Sequence, residues 1–175
     1  RARWGEIHIW DKHGKLVGED VVPGMTHLNG IGIDADDNIY MMSASRRLID
    51  GKPADPKLGT DSSCTVLKVP AGKAKVISSS GSVPVPLAPA GQPKRPPDLS
   101  PSTGGISGWV EGAEWFYGGI GFGSPNGGCV CWNCRFAKDH FNRSFAPESL
   151  HCSVAVIDSA GNLITRIGTY GNVDD

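Results

Sequence analysis

Apolar and polar residues alternate along this chain in short runs, and the runs come in pairs about polar turns. In the clearest pair, Ile31 and Ile33 precede Asp36-Asp37-Asn38, and Ile39 and Met41 follow it. Period two on both sides of residues that tolerate left-handed turn conformations predicts a hairpin over 29–42. A second is predicted over 5–18, where Ile7, Ile9 and Leu16 flank Asp11-Lys12-His13-Gly14-Lys15. A third joins 64–69 to 74–78 about Pro70-Ala71-Gly72. A last one spans 153–167, with Val154 and Val156 before Asp158-Ser159-Ala160-Gly161-Asn162 and Leu163 and Ile164 after it. A Trp- and Gly-rich pair of strands, Ile106 to Glu111 and Glu114 to Ile120, is predicted within 106–122. One stretch breaks the alternation. Ala137, Phe141 and Phe145 recur at spacing four, which predicts a short helix over about 135–145.

Two kinds of hairpin alternate. Ile7 to Val17 matches Val154 to Ile164 position for position, and Cys64-Thr65-Val66-Leu67-Lys68-Val69 has the same lead-in as Cys152-Ser153-Val154-Ala155-Val156-Ile157. One kind reads G-x-D-x-x-x-N-I-Y, the other x-V-x-V-x-D-x-x-G-x-L. A pair of them makes a four-stranded antiparallel unit, the signature of a radial repeat. The chain therefore reads as all-β.

Gly32-Ile33-Asp34 with Asn38-Ile39-Tyr40, and the Asp11/Gly14 and Asp158/Gly161 turns, resemble the blades of NHL-type β-propellers. Those blades commonly read G-[IV]-x-[IV]-D-x-x-G-N-[IL]-Y-V, then R-I-x-V-x-D-x-x-G-x-x. The match covers about half of the chain. Asp37 stands where Gly is usual, and long insertions split both complete blades. The resemblance implies a partial β-propeller over residues 1–175 as a single domain. Its blades would be 5–18 (partial), 29–78 and 106–167, with two long loop insertions at 46–63 and 124–151. A closed propeller has roughly 4–8 blades, so the expected partners are further blades of the same chain or a partner chain. Both chain ends look cut, which fits that expectation.

Composition narrows the picture. Among 175 residues, 17 Lys and Arg balance 18 Asp and Glu, for a net charge of −1, which gives no electrostatic reason to expect nucleic acid. No apolar run approaches the roughly 20 residues of a membrane span. Gly (24) and Pro (13) are frequent enough to make long helices unlikely tenants, and seven of the prolines crowd into 79–103, a surface crossing. No secretory signal is visible. The compartment stays open, with an extracytoplasmic one favoured.

The candidate chemistry is of three kinds. Cys129-Val130-Cys131-Trp132-Asn133-Cys134 places thiols at C-x-C-x-x-C spacing within the 124–151 insertion. Such thiolates can share zinc or another transition metal, with His140, His151 or Cys152 as a fourth ligand. A local disulfide with a spare thiol, or buried inert cysteines, fit the same spacing. Arg135 follows Cys134 where c-type haem attachment needs His, so that cofactor is rejected. His27, at the start of the first strand of a blade, is the second candidate. The propeller resemblance would put it near an axial channel, where zinc-dependent propeller lyases place a His, whereas a histidine bonded to a neighbouring loop needs no metal. Third, Trp109, Trp115, Phe116, Tyr117 and Phe122 could line a ligand site, though alternating strand positions suit inter-blade core better. Asp34, Asp36 and Asp37 lack the spacing of a calcium loop, and Glu111 and Glu114 flank a turn on different strands.

The leading expectation is a ligand- or protein-binding propeller module whose loops carry specificity, since both insertions are expected between the second and third strands of their blades. The alternatives are a metal-dependent hydrolase or lyase with an axial site, and a metal or redox module using Cys129 to Cys134.

Overall fold

The computed structural model describes residues 7–19, 30–43, 47–53, 64–71, 75–80, 90, 94–99, 106–120, 135–148 and 151–171. Among them every regular element is a strand: β1 (Ile9–Trp10), β2 (Leu16–Gly18), β3 (Ile31–Ile33), β4 (Ile39–Ser43), β5 (Leu48–Ile49), β6 (Lys52–Pro53), β7 (Cys64–Val69), β8 (Lys75–Ser80), β9 (Ile106–Glu111), β10 (Trp115–Ile120), β11 (Ala137–Lys138), β12 (Ser144–Glu148), β13 (Ser153–Ile157) and β14 (Leu163–Ile167). No helix among them is long and apolar enough to cross a membrane.

One turn recurs four times. In the β1–β2, β3–β4, β11–β12 and β13–β14 hairpins the first turn residue is Asp11, Asp34, Asp139 or Asp158. In each, one carboxylate oxygen accepts the amides two and four residues on, at 2.8–3.0 Å. The aspartate's own amide bonds the carbonyl four residues later, and its carbonyl accepts the amide three residues later. The fourth residue must then adopt a left-handed conformation: Gly14 at φ 79°, Asp37 at 61°, Asn142 at 62°, Gly161 at 87°. The carboxylate gathers donors that a tight turn would otherwise leave unbonded.

Two four-stranded antiparallel sheets result, in the orders β3-β4-β7-β10 and β11-β12-β13-β14. The fold is thus a partial, unclosed propeller-like array of antiparallel blades. Their strands are not all the expected ones. The predicted helix over 135–145 is instead β11, the Asp139 turn and the start of β12. Phe141 is 73% exposed at the turn while Phe145 sits in a strand, so spacing four there marks a turn crossing and not a helical face. Nor does β7 form a hairpin with β8, or β9 with β10. β7 pairs with β10, Lys68 opposite Trp115, and β8 pairs with β9, Lys75 opposite Glu111 and Ser80 opposite Ile106. The β7–β10 and β8–β9 pairs therefore follow one another as one long antiparallel ribbon, with the pairing broken between Val69 and Lys75 and between Glu111 and Trp115. The reason lies at Pro70. It occupies the position of Asp158 in the matched sequence, yet it has neither a carboxylate to gather amides nor an N–H of its own. The chain does not fold back there and continues into the ribbon. The second blade consequently begins at β11, and the connection from 121 to 134 joins two blades where an insertion within one was expected.

The two blades stack face to face. Tyr40, Met42, Cys64, Val66, Trp115 and Ile120 of the first bury against Phe136, Ala146, Ala155 and Ile157 of the second. Trp115 carries the contact. Its ring meets Tyr40 edge-on at 6.0 Å, and its Nε1 donates to the Ser159 carbonyl at 3.0 Å. Gly161 lies beneath it, so a β-carbon there would come within 2.7 Å of the indole. The other face of the first blade buries Ile39, Met41, Leu67 and Val69 under Ile7 and Val110, the latter supplied by the ribbon. On the outer strand of the second blade, Ile164 and Ile167 are 53% and 56% exposed.

Replacing Asp37 by Gly removes an α-carbon substituent from a left-handed position and is expected to stabilise the chain by about 0.5–1 kcal/mol. Gly161→Ala meets both a positive φ and the Trp115 ring, and is expected to cost about 1–3 kcal/mol. Urea unfolding of both variants checks the pair; equal midpoints would contradict the turn account.

Candidate functional site

The residues singled out for metal chemistry fall in different places. His27, Cys129, Cys131 and Cys134 lie outside the described residues. His140 is exposed in the Asp139 turn, its ring 5.8 Å from Phe141. Cys152 is exposed just before β13, beside the half-buried His151. Because β12 runs between them, His140 and Cys152 sit at opposite ends of a five-residue strand, about 3.3 Å per residue. The structure therefore does not bring His140 together with Cys152. Among the described residues, no group of three or more His, Cys, Asp or Glu is placed to hold a metal ion. Of the aromatic group, Trp115 and Tyr117 belong to the seam between the blades, Phe116 packs on the opposite face, Trp109 is half-buried and Phe122 lies outside the described residues.

The strongest charged cluster was not anticipated. Glu148, at the end of β12, is 2% exposed. Arg166 of β14 donates to it twice, Nε at 2.6 Å and a terminal nitrogen at 3.2 Å. The Tyr117 hydroxyl of the first blade donates at 2.8 Å and the Ser153 hydroxyl at 3.2 Å. Burial alone would raise the Glu148 pKa. The hydrogen bonds from Arg166 and Tyr117, with the Arg166 charge, outweigh it and hold the carboxyl below its ordinary range. Burial, then the bond to Glu148, pushes the Tyr117 hydroxyl well up. A second buried carboxylate, Asp34, accepts from Tyr40 at 3.2 Å and from the Asn38 amide group at 3.0 Å. Burial opposes ionisation there too, but these bonds keep its pKa low. Both clusters lock framework together: every carboxylate oxygen has donors from the chain itself. The sequence offered no signal for Glu148, because its partners lie 5, 18 and 31 positions away.

A third arrangement lies on the outer strand of the first blade. There residues 48–53 of the 46–63 insertion form a small hairpin, β5–β6, about Asp50 and Gly51, both at positive φ. An Asp-Gly dipeptide is a strong hairpin signal, so this element was legible and was passed over as a loop. Residues 94–99, from the Pro-rich crossing, lie beside it. Arg47 pairs with the Asp98 carboxylate, the Leu48 amide donates to the Asp98 carbonyl at 2.7 Å, and Arg47 and Leu99 form an isolated β-bridge. Arg47 also lies 5.7 Å from the Phe116 ring centre, and Leu99 is fully buried. Residues 47–53 of the insertion and 94–99 of the crossing, far apart in sequence, are thereby fixed to each other and to β10. The crest they form exposes Ile49 (56%), Asp50, Lys52, Lys94, Arg95 and Pro97.

With this geometry established, comparison with known proteins found no matching family model, no matching curated protein and no matching solved structure.

Because the folded pKa of Glu148 lies below the value near 4.5 of a free glutamate, its network stabilises the fold above that pH and the contribution is lost as pH falls through the folded value. Between about pH 6 and pH 3, the wild type is expected to lose more stability than Glu148→Gln. At the higher pH, Tyr117→Phe is expected to cost about 1–3 kcal/mol. Chemical denaturation across that range checks both, and parallel pH profiles of wild type and Glu148→Gln would contradict the account.

Proposed function

We propose that this chain is a segment of an NHL-type β-propeller and works as a binding module, with the crest on the first blade as its recognition surface. The observation that supports this reading is the fixing of the crest. An insertion that merely linked strands has no need to be held to the Pro-rich crossing by an ion pair, a backbone hydrogen bond and a β-bridge. A surface that recognises a partner does gain, because loops ordered in advance lose less conformational freedom on binding. The buried carboxylates at the seam and in the Asp34 turn are fully engaged by the framework, which leaves specificity to exposed positions such as Ile49 and Pro97. The repeat argues for further blades as structural partners: the second blade leaves Ile164 and Ile167 in solvent on its outer strand, where a stacked array would continue.

Panning a random peptide library on the immobilised chain tests the binding role. Peptides enriched on the wild type are expected to lose binding to the double variant Ile49→Asp, Pro97→Ser, whose two sites are exposed and whose melting temperature should stay unchanged. Enriched peptides that bind the variant equally well would contradict the crest as recognition surface.

A further inference from the structure

We infer that the crest takes an acidic peptide segment carrying apolar side chains. The inference rests on the reading of the crest as the recognition surface and adds the chemistry of the partner. Its basis is which charges the crest uses internally and which it leaves in solvent. One of its acidic groups is neutralised, Asp98 by Arg47, while Glu111 accepts the Lys94 backbone amide at 2.9 Å and keeps its charge. The Arg95 guanidinium donates to the carbonyls of Pro96 and Leu99, which neutralises no charge and holds the side chain in place. Among the described residues Lys52 and Lys94 make no ion pair, and both are exposed. Among the described residues these three cations stand against two acids, the exposed Asp50 at the hairpin tip and the half-exposed Glu111. The described part of the crest is thus net positive, on a chain whose net charge is −1. Ile49, 56% exposed and opposite Lys52 in the β5–β6 hairpin, supplies an apolar contact. Exposed cations that make no ion pair attract an anionic partner without first breaking an internal pair, and the apolar contact favours a peptide over a small anion.

Fluorescence anisotropy with labelled peptides of alternating Glu and Leu, Gln and Leu, or Lys and Leu tests the inference. The acidic peptide is expected to bind best and to weaken as salt is raised, since exposed charges are screened within a Debye length of about 8–10 Å. Lys52→Glu with Lys94→Glu is expected to lower its affinity about tenfold or more, with the fold intact by circular dichroism. Equal binding of the three peptides, or unchanged affinity of the charge-reversed variant, would overturn the inference. If library peptides depend on Ile49 and Pro97 but the acidic peptide does not bind, the recognition surface stands and the acidic partner is wrong. If neither holds, both readings fall.

Discussion

The structure depends on one small constraint, an aspartate whose carboxylate collects two backbone amides at the corner of a hairpin. Four copies of that turn close β1–β2, β3–β4, β11–β12 and β13–β14 with the same hydrogen bonds and the same left-handed fourth residue. The turn fixes which residues oppose one another, and in a sheet with a buried face a slip of one residue would turn every side chain over. Tyr40, Met42 and Val66 therefore reach the second blade, while Ile39, Met41 and Leu67 reach the opposite core. The turn also acts between blades. The Asp158 turn presents the Ser159 carbonyl and the bare face of Gly161 to Trp115, so the element that closes one blade receives the largest side chain of the other.

Where the aspartate is missing, the architecture changes. Pro70 leaves β7 without a corner, and the chain runs on for the length of the ribbon before β10 returns to complete the first blade. This departure makes the crest possible. Residues 94–99 lie between the ribbon strands β8 and β9 in sequence and meet Arg47 of the 46–63 insertion. The proposed recognition surface is thus a consequence of one lost turn, and the Glu148 network and the Trp115 contact hold rigid the frame on which it is mounted.

Much of the fold was legible in the sequence, and the errors share a cause. The β1–β2, β3–β4 and β13–β14 hairpins follow from alternation and from the Asp turns. The same turn at Asp139-His140-Phe141-Asn142-Arg143 went unrecognised because Asn142 replaces the usual Gly and the aromatic spacing imitates a helix. Pairing of β7 with β10 and of β8 with β9 was hidden because local alternation does not say which strand lies beside which, and proximity in sequence favoured the nearer partner. The crest and the Glu148 cluster were less visible still. Arg47 and Asp98 are 51 positions apart, as are none of the patterns that a local reading compares.

The central claim is that the first blade takes its fourth strand from beyond the ribbon because Pro70 cannot close a turn. Nuclear Overhauser contacts between backbone protons test it most directly. The account predicts cross-strand contacts between Val66 and Tyr117 and between Val76 and Val110. Contacts linking Val69 with Lys75, or Val110 with Trp115, as in two separate local hairpins, would contradict it.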